Sequence, residues 1–245
     1  MALLSRFGIG SATIDLIPEQ TTVQPGGEVA AHLEIEGGTS AQTADDIEIA
    51  LVTRYQVEHD GDRTATHSVL WETEFKEGLT VEAEVDRTID VPPIQVPATT
   101  PVTLGESEVW IQTGLDIEWA VDPSDEDQLD VQPGPRLQAV LDAMEQLGFG
   151  LRTVTNEETD NRLASLPFMQ RFAFRGGAGD FAGKLDDLFL APLPTEDEDT
   201  LTVLMWVDRI GERDIGDVRR ARLSVDTKDA DAIAEQFRGK IESRL

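Results

Sequence analysis

The chain has 245 residues, with 48 Asp and Glu against 20 Lys and Arg and a formal net charge of −28 at pH 7. Such a length supports one large β domain or two lobes of about 120 residues, each able to bury a core. Cysteine is absent, which excludes disulfides and thiolate metal sites and suits a reducing compartment, and the lack of a broad basic face argues against nucleic-acid binding.

Met1-Ala2-Leu3-Leu4-Ser5-Arg6 has neither the apolar length nor the cleavage pattern of a secretory signal. The longest apolar run, Leu201 to Val207 with one threonine, falls well short of the ~20 residues a membrane-crossing helix needs. A soluble, cytoplasmic protein with no stable membrane insertion is therefore expected. The acids are spread along the whole chain, and the lysines are Lys76, Lys184, Lys228 and Lys240. A folded surface this acidic repels itself unless concentrated cations screen it, the Debye length shrinking to about 3 Å at molar salt. The composition is read as adaptation to a salt-rich cytoplasm, as in halophilic archaea. A hydrophobic content of 40% argues against an acidic disordered protein.

In chain order, Glu28 to Glu36 and Asp46 to Tyr55 alternate apolar and polar residues, the pattern of half-buried antiparallel strands. Glu58 to Arg63 reads as a hairpin turn. Further strands are predicted at Ser68 to Phe75, Val81 to Val91 and Glu106 to Trp119. The proline-rich stretch Val91 to Pro97 belongs at a sheet edge, because proline cannot donate to a central ladder. Around residue 134 the period changes: Leu137, Val140, Leu141 and Met144 fall at helical spacing, with Pro135 suited to the first turn and Gly148 to the position past the end. Strands follow at Phe149 to Thr155, Phe168 to Phe174, Lys184 to Leu190, Leu201 to Asp208 and Val218 to Val225. An amphipathic helix, Lys228 to Arg244, closes the chain, with Ala230, Ile233, Phe237 and Ile241 on one face and basic residues near its end.

Few residues invite chemistry. None of His32, His59 and His67 has a partner at zinc-ligand spacing, and no Gly-x-Ser-x-Gly turn supports a serine nucleophile. Asp122 to Asp130 clusters carboxylates but lacks the glycine and alternating ligands of a calcium loop, so a solvated turn is the plainer reading. Ala178 to Leu185 resembles half a phosphate-binding loop and fails at its first glycine and final hydroxyl. Arg209, Arg213, Arg219, Arg220 and Arg222 form a cluster suited to anions or phosphopeptides. The interleaved Asp208, Glu212, Asp214 and Asp217 favour internal pairing instead. The terminal helix face offers docking for a partner against the plainer reading of packing on its own domain.

A resemblance adds to this. Gly8-Ile9-Gly10-Ser11-Ala12-Thr13-Ile14-Asp15, Pro25-Gly26-Gly27-Glu28-Val29 and Ile35-Glu36-Gly37-Gly38 come in order before Thr100-Pro101-Val102-Thr103-Leu104-Gly105 and the strand Val109 to Ile117. Pro133-Gly134-Pro135, Leu147-Gly148-Phe149 and Leu166-Pro167-Phe168 follow. Over roughly residues 5 to 190 this order resembles the sporulation-control (SpoOM-like) protein family. One departure is Gln170-Arg171-Phe172, where the family usually carries an acidic residue after the Gln.

The resemblance implies an all-β, arrestin-like pair of β-sandwich lobes. The expected divisions are an N-terminal lobe at 1–132, a junction helix at 133–148, a C-terminal lobe at 149–226 and a C-terminal helix at 227–245. It implies a non-enzymatic regulatory scaffold that binds protein partners, in relatives linked to sporulation or cell-stage control, and that needs no cofactor. Partners would add a strand to an exposed sheet edge. Candidate contacts are Ile233, Phe237, Ile241, Arg219, Arg220 and Arg222, and homo-oligomerisation is compatible with the same surfaces. A ligand-binding β-sandwich, for carbohydrate or calcium, is the alternative, using Trp71, Trp110 or Trp119 and the Asp122 to Asp130 turn.

Overall fold

The structure, a computed structural model, describes residues 12–75, 79–117, 124–160, 164–176, 179–194, 199–209 and 219–245. The protein is all-β, with two α-helices among the described residues, and its contacts divide it into two compact units. The first holds the described residues up to Thr53 together with His67–Thr103 and Glu108–Val131, and the second holds Arg54–Thr66, Leu104–Ser107 and Gln132–Leu245. The chain thus interleaves between units instead of being cut once near residue 132.

In the first unit, β1 (Thr13–Pro18), β4 (Ala31–Glu36) and β8 (Arg87–Asp90) form an antiparallel sheet. The alternation written in β4 is realised directly: Ala31, Leu33 and Ile35 are buried, whereas Glu34 and Glu36 are exposed. Leu33 stands opposite Leu16 on one side and Ile89 on the other, so one apolar row crosses the sheet. Two short strands, β2 (Thr22–Val23) and β3 (Glu28–Val29), lie between β1 and β4 in sequence. A second set is built on β5 (Gln42–His59), whose Ile47, Ile49 and Leu51 are fully buried. There β10 (Val109–Ile117) lies between β5 and β11 (Ser124–Val131), with Ile111 opposite Leu51, and β2 joins β11 in parallel. The proline-rich stretch yields only β9 (Ile94–Gln95), paired with β3 alone, as proline's missing donor requires.

Two expectations for this region are corrected. Val81 to Val91 is not one strand but β7 (Leu79–Val81), a turn with Glu84 at φ 57°, and β8. The cause is steric: a Cβ at Gly37 would sit 2.3 Å from Glu82 O, and Glu84 N donates to Gly38 O (2.9 Å), so the chain bends around this close approach. The described part of the Asp122 to Asp130 stretch is not a turn but the strand β11. Its alternation ends in buried Leu129 and Val131, and acidic side chains at the half-buried positions Asp125 and Asp127 disguise it. Asp122 and Pro123 lie outside the described residues.

The second unit is an antiparallel meander of β12 (Phe149–Glu158), β13 (Phe168–Gly176), β14 (Leu185–Pro194), β15 (Leu201–Arg209) and β16 (Arg219–Val225). Phe172 and Phe174 of β13 are fully buried. The hairpin between β5 and β6 (Asp62–Phe75) turns at Asp60 and Gly61, with φ 53° and 86°. Those two left-handed residues match the twist of the strands they join. The first helix, α1 (Pro135–Gln146), starts with proline in its first turn and is followed by Gly148 at φ 83°. It belongs to the second unit and packs against β12 and against α2 (Ala230–Glu242). Ala139, Val140, Ala143 and Met144 are its buried residues, while Leu137 and Leu141 are only half-buried. Asp229 caps α2 by accepting from Asp231 N (3.0 Å), and Lys240 lies in its last turn.

Candidate functional site

Ile233, Phe237 and Ile241 have no exposed surface. Their row on α2 is the face that meets α1 and the core of the second unit, so the expectation that it docks a partner is corrected. An amphipathic helix shows in sequence that one face is buried, but not against what. Arg220 and Arg222 are exposed on β16, and Arg222 Nη2 donates to Thr202 Oγ1 (3.5 Å). The side chain of Arg219, with Arg213 and the interleaved Glu212, Asp214 and Asp217, lies outside the described residues.

The outer edge of β16 is occupied. Gln236 Nε2 donates to Ser224 O (3.1 Å), and Arg244 Nε donates to Arg220 O (3.3 Å). Two side chains from α2 and the residues after it therefore satisfy carbonyls that an added strand would need. The edge of β1 is treated similarly, since Leu16 N donates to Asp125 Oδ2 (2.9 Å).

That contact places Asp125 among other acids. Burial, the charge of Asp125, a hydrogen bond with it and the charge of Asp15 together push the Asp127 carboxyl up to about 7. Asp15 is raised as well, by burial first and then by Asp125, Glu34 and Glu36. Asp15 of β1 and Asp127 of β11 thus hold their protons more tightly than carboxyls in water do, because burial and the neighbouring acids disfavour their charged forms. Among the described residues no group of three or more His, Cys, Asp or Glu is arranged to hold a metal ion. For the ligand-binding alternative, Trp110 is only 7% exposed and meets the ring of His67 edge-on at 5.2 Å, so it is no open platform. Trp71 is half-buried, and Trp119 lies outside the described residues. His32 and His59 are each 3.8 Å from an acid, Glu34 and Asp60. In the described part of the phosphate-loop look-alike, Gly179–Phe181 forms a short 3-10 turn and Leu185 already begins β14.

One buried network is not apparent from the sequence. Gln170 Nε2 donates to Ser107 Oγ (3.0 Å), and Asn156 Nδ2 donates to Arg54 O (3.0 Å) and to Ser107 Oγ (3.1 Å). Beside it, Glu106 N donates to Val154 O (3.0 Å), and Gly105 has φ 63° with its Cβ position 2.7 Å from Val154 N. The motif Leu104-Gly105 thus lies flat on β12, where any side chain would collide. Arg171, at the departure noted above, pairs with Glu157 (2.8 Å) and lies 3.8 Å over the Phe189 ring.

A different edge has no partner strand among the described residues. Among the described strands β6 pairs with β5 alone. From His67 to Glu74 it lies in the first unit, with His67, Val69, Glu72 and Glu74 exposed and the intervening residues half-buried. Val69 is 51% exposed, the most exposed large hydrophobic side chain described.

These features define an all-β protein with, among the described residues, two helices, buried polar groups that hold strands together and a strand edge paired on one side only. Residues 1–211 match the family described as SpoOM protein, and the chain belongs to that family. It is 33% identical over 207 residues to the sporulation-control protein Spo0M of Bacillus subtilis (strain 168), covering 84% of this chain and 79% of that protein. The crystal structure of Spo0M from Bacillus subtilis superposes with a TM-score of 0.87 at 27% identity, covering 97% of this chain and 100% of that one. That coverage is nearly the whole chain, more than the stretch over which the sequence motifs carry the likeness. No described helix is long and apolar enough to cross a membrane.

Proposed function

We propose that this protein is a non-enzymatic, arrestin-like regulatory scaffold of the cytoplasm that works by binding protein partners. Its homology to a sporulation-control protein supports a regulatory role. The observation that carries the binding mode is the uncovered edge of β6, set against the filled edges of β16 and β1. A sheet edge left open offers main-chain donors and acceptors to an extended segment, and side-chain pockets on alternate positions supply selectivity. Arg220 and Arg222 remain candidate rim contacts, since both are exposed. The test is affinity capture of the full chain from native cells at native salt, with partners identified by mass spectrometry. Specific, saturable partners are expected; recovery of none above an unrelated acidic control protein refutes the scaffold reading.

A further inference from the structure

Proteins blunt sheet edges because an unpaired row of N–H and C=O groups invites another strand. Here the blunting is visible at several strands: Asp125 accepts from Leu16 N on β1, Gln236 and Arg244 donate to β16 carbonyls, and β2 lies beside the end of β11. The segment of β6 from His67 to Glu74 has no such cover among the described residues. Its sequence, His67-Ser68-Val69-Leu70-Trp71-Glu72-Thr73-Glu74, is rich in strand-forming residues and contains no proline or glycine. Through Trp71 it carries no Asp, Glu, Lys or Arg, although 28% of the whole chain does. The charged gatekeepers of an exposed edge are therefore missing from its first five residues. They appear only at the far end, as the exposed Glu72 and Glu74.

We infer that the His67 to Glu74 edge of β6 receives an extended segment of a basic partner protein, whose apolar and threonine side chains lie along Val69 to Trp71 and whose Lys or Arg residues face Glu72 and Glu74. This deepens the partner-binding reading above and rests on it. Charge selects the occupant. A second copy brings another net −28 and its own Glu72 and Glu74 to the pairing, whereas a basic strand gains opposite-charge pairs across the ladder at contact distance, where salt screens least. The short uncharged run then lets the backbones close without desolvating an unpaired charge.

The test uses the full chain and a capped ten-residue peptide alternating valine or threonine with lysine, with hydrogen exchange read amide by amide at moderate salt. Comparison peptides replace lysine by glutamate, or place proline at two central positions. Slowed exchange within residues 67–74 is expected with the lysine peptide only. Glu72→Lys combined with Glu74→Lys should weaken that binding by roughly tenfold, because two cross-strand attractions become repulsions, while circular dichroism and melting stay unchanged. Equal protection by the glutamate peptide, protection confined to other strands, or concentration-dependent protection without peptide, which would mark a second copy as the occupant, each overturns the inference. Capture of partners in cells that the double variant leaves intact removes this edge while the scaffold reading stands. Binding of the lysine peptide with no cellular partner at all removes the scaffold reading while the edge stands.

Discussion

The Asp127 carboxyl, raised from 3.8 to about 7 by burial and by Asp125 and Asp15, holds its proton more tightly in the folded chain than in the unfolded one. The stability it contributes is complete below the unfolded value of 3.8 and is lost as pH rises through about 7. The unfolding midpoint should accordingly be higher near about pH 5.5 than near about pH 8 at fixed salt. Asp127→Asn, which cannot ionise, should raise the midpoint at the higher pH and flatten the dependence between the two. A profile identical to that of the unaltered protein would show that Asp127 ionises in the folded state as easily as in water. Gly105 supplies a second test at this scale, because its left-handed φ and its 2.7 Å approach to Val154 N both exclude a Cβ. Gly105→Ala should cost about 1–3 kcal/mol in backbone strain alone, with the clash on β12 added. Chemical denaturation measures this, and an unchanged midpoint would mean that the turn rebuilds itself elsewhere.

At the scale of elements, α2 is part of the core of its unit. Phe237, Ile233 and Ile241 are fully buried, while Gln236 and Arg244 hold the outer edge of β16. Phe237→Ala should cost about 3–5 kcal/mol through lost burial and the cavity left behind. Deleting residues 228–245 should unfold the second unit outright, because it strips a buried face from α1 and opens an edge strand together. Far-ultraviolet circular dichroism and thermal melting of both variants decide this. A truncated chain with native melting would return the helix to the status of a detachable tail.

For the whole molecule, a net charge of −28 acts through self-repulsion that no single contact relieves. The described ion pairs engage only part of the acid surplus, and Arg152 with Asp187 and Arg136 with Asp199 each have a member at least half exposed; pairs of that kind contribute little. Screening by salt should therefore dominate: raising KCl from dilute to molar should raise the melting temperature steadily. A melt independent of salt would overturn the reading of the composition as adaptation to a salt-rich cytoplasm.

Much of this protein was legible along the chain because its signals are local. Alternation in β4 and β5 marks half-buried strands, Pro135 and Gly148 bracket α1, Asp60-Gly61 makes the hairpin, and the ordered motifs from Gly8 to Phe168 carry the family likeness. What the chain alone left open depends on partners distant in sequence. β11 looked like an acidic turn because the acids on its half-buried positions make sense only beside Asp15 of β1 and Glu34 of β4. The face of Ile233, Phe237 and Ile241 announced burial, and only α1, some ninety residues earlier in the chain, decided that the burial is internal. The roles of Ser107, Asn156 and Gln170 were invisible for the same reason, since hydrogen bonds between three separate segments leave no periodic trace. That the described residues cover the edge of β16 and not that of β6 was likewise decided by the tertiary structure, because covering an edge is an act of another element and not of the strand itself.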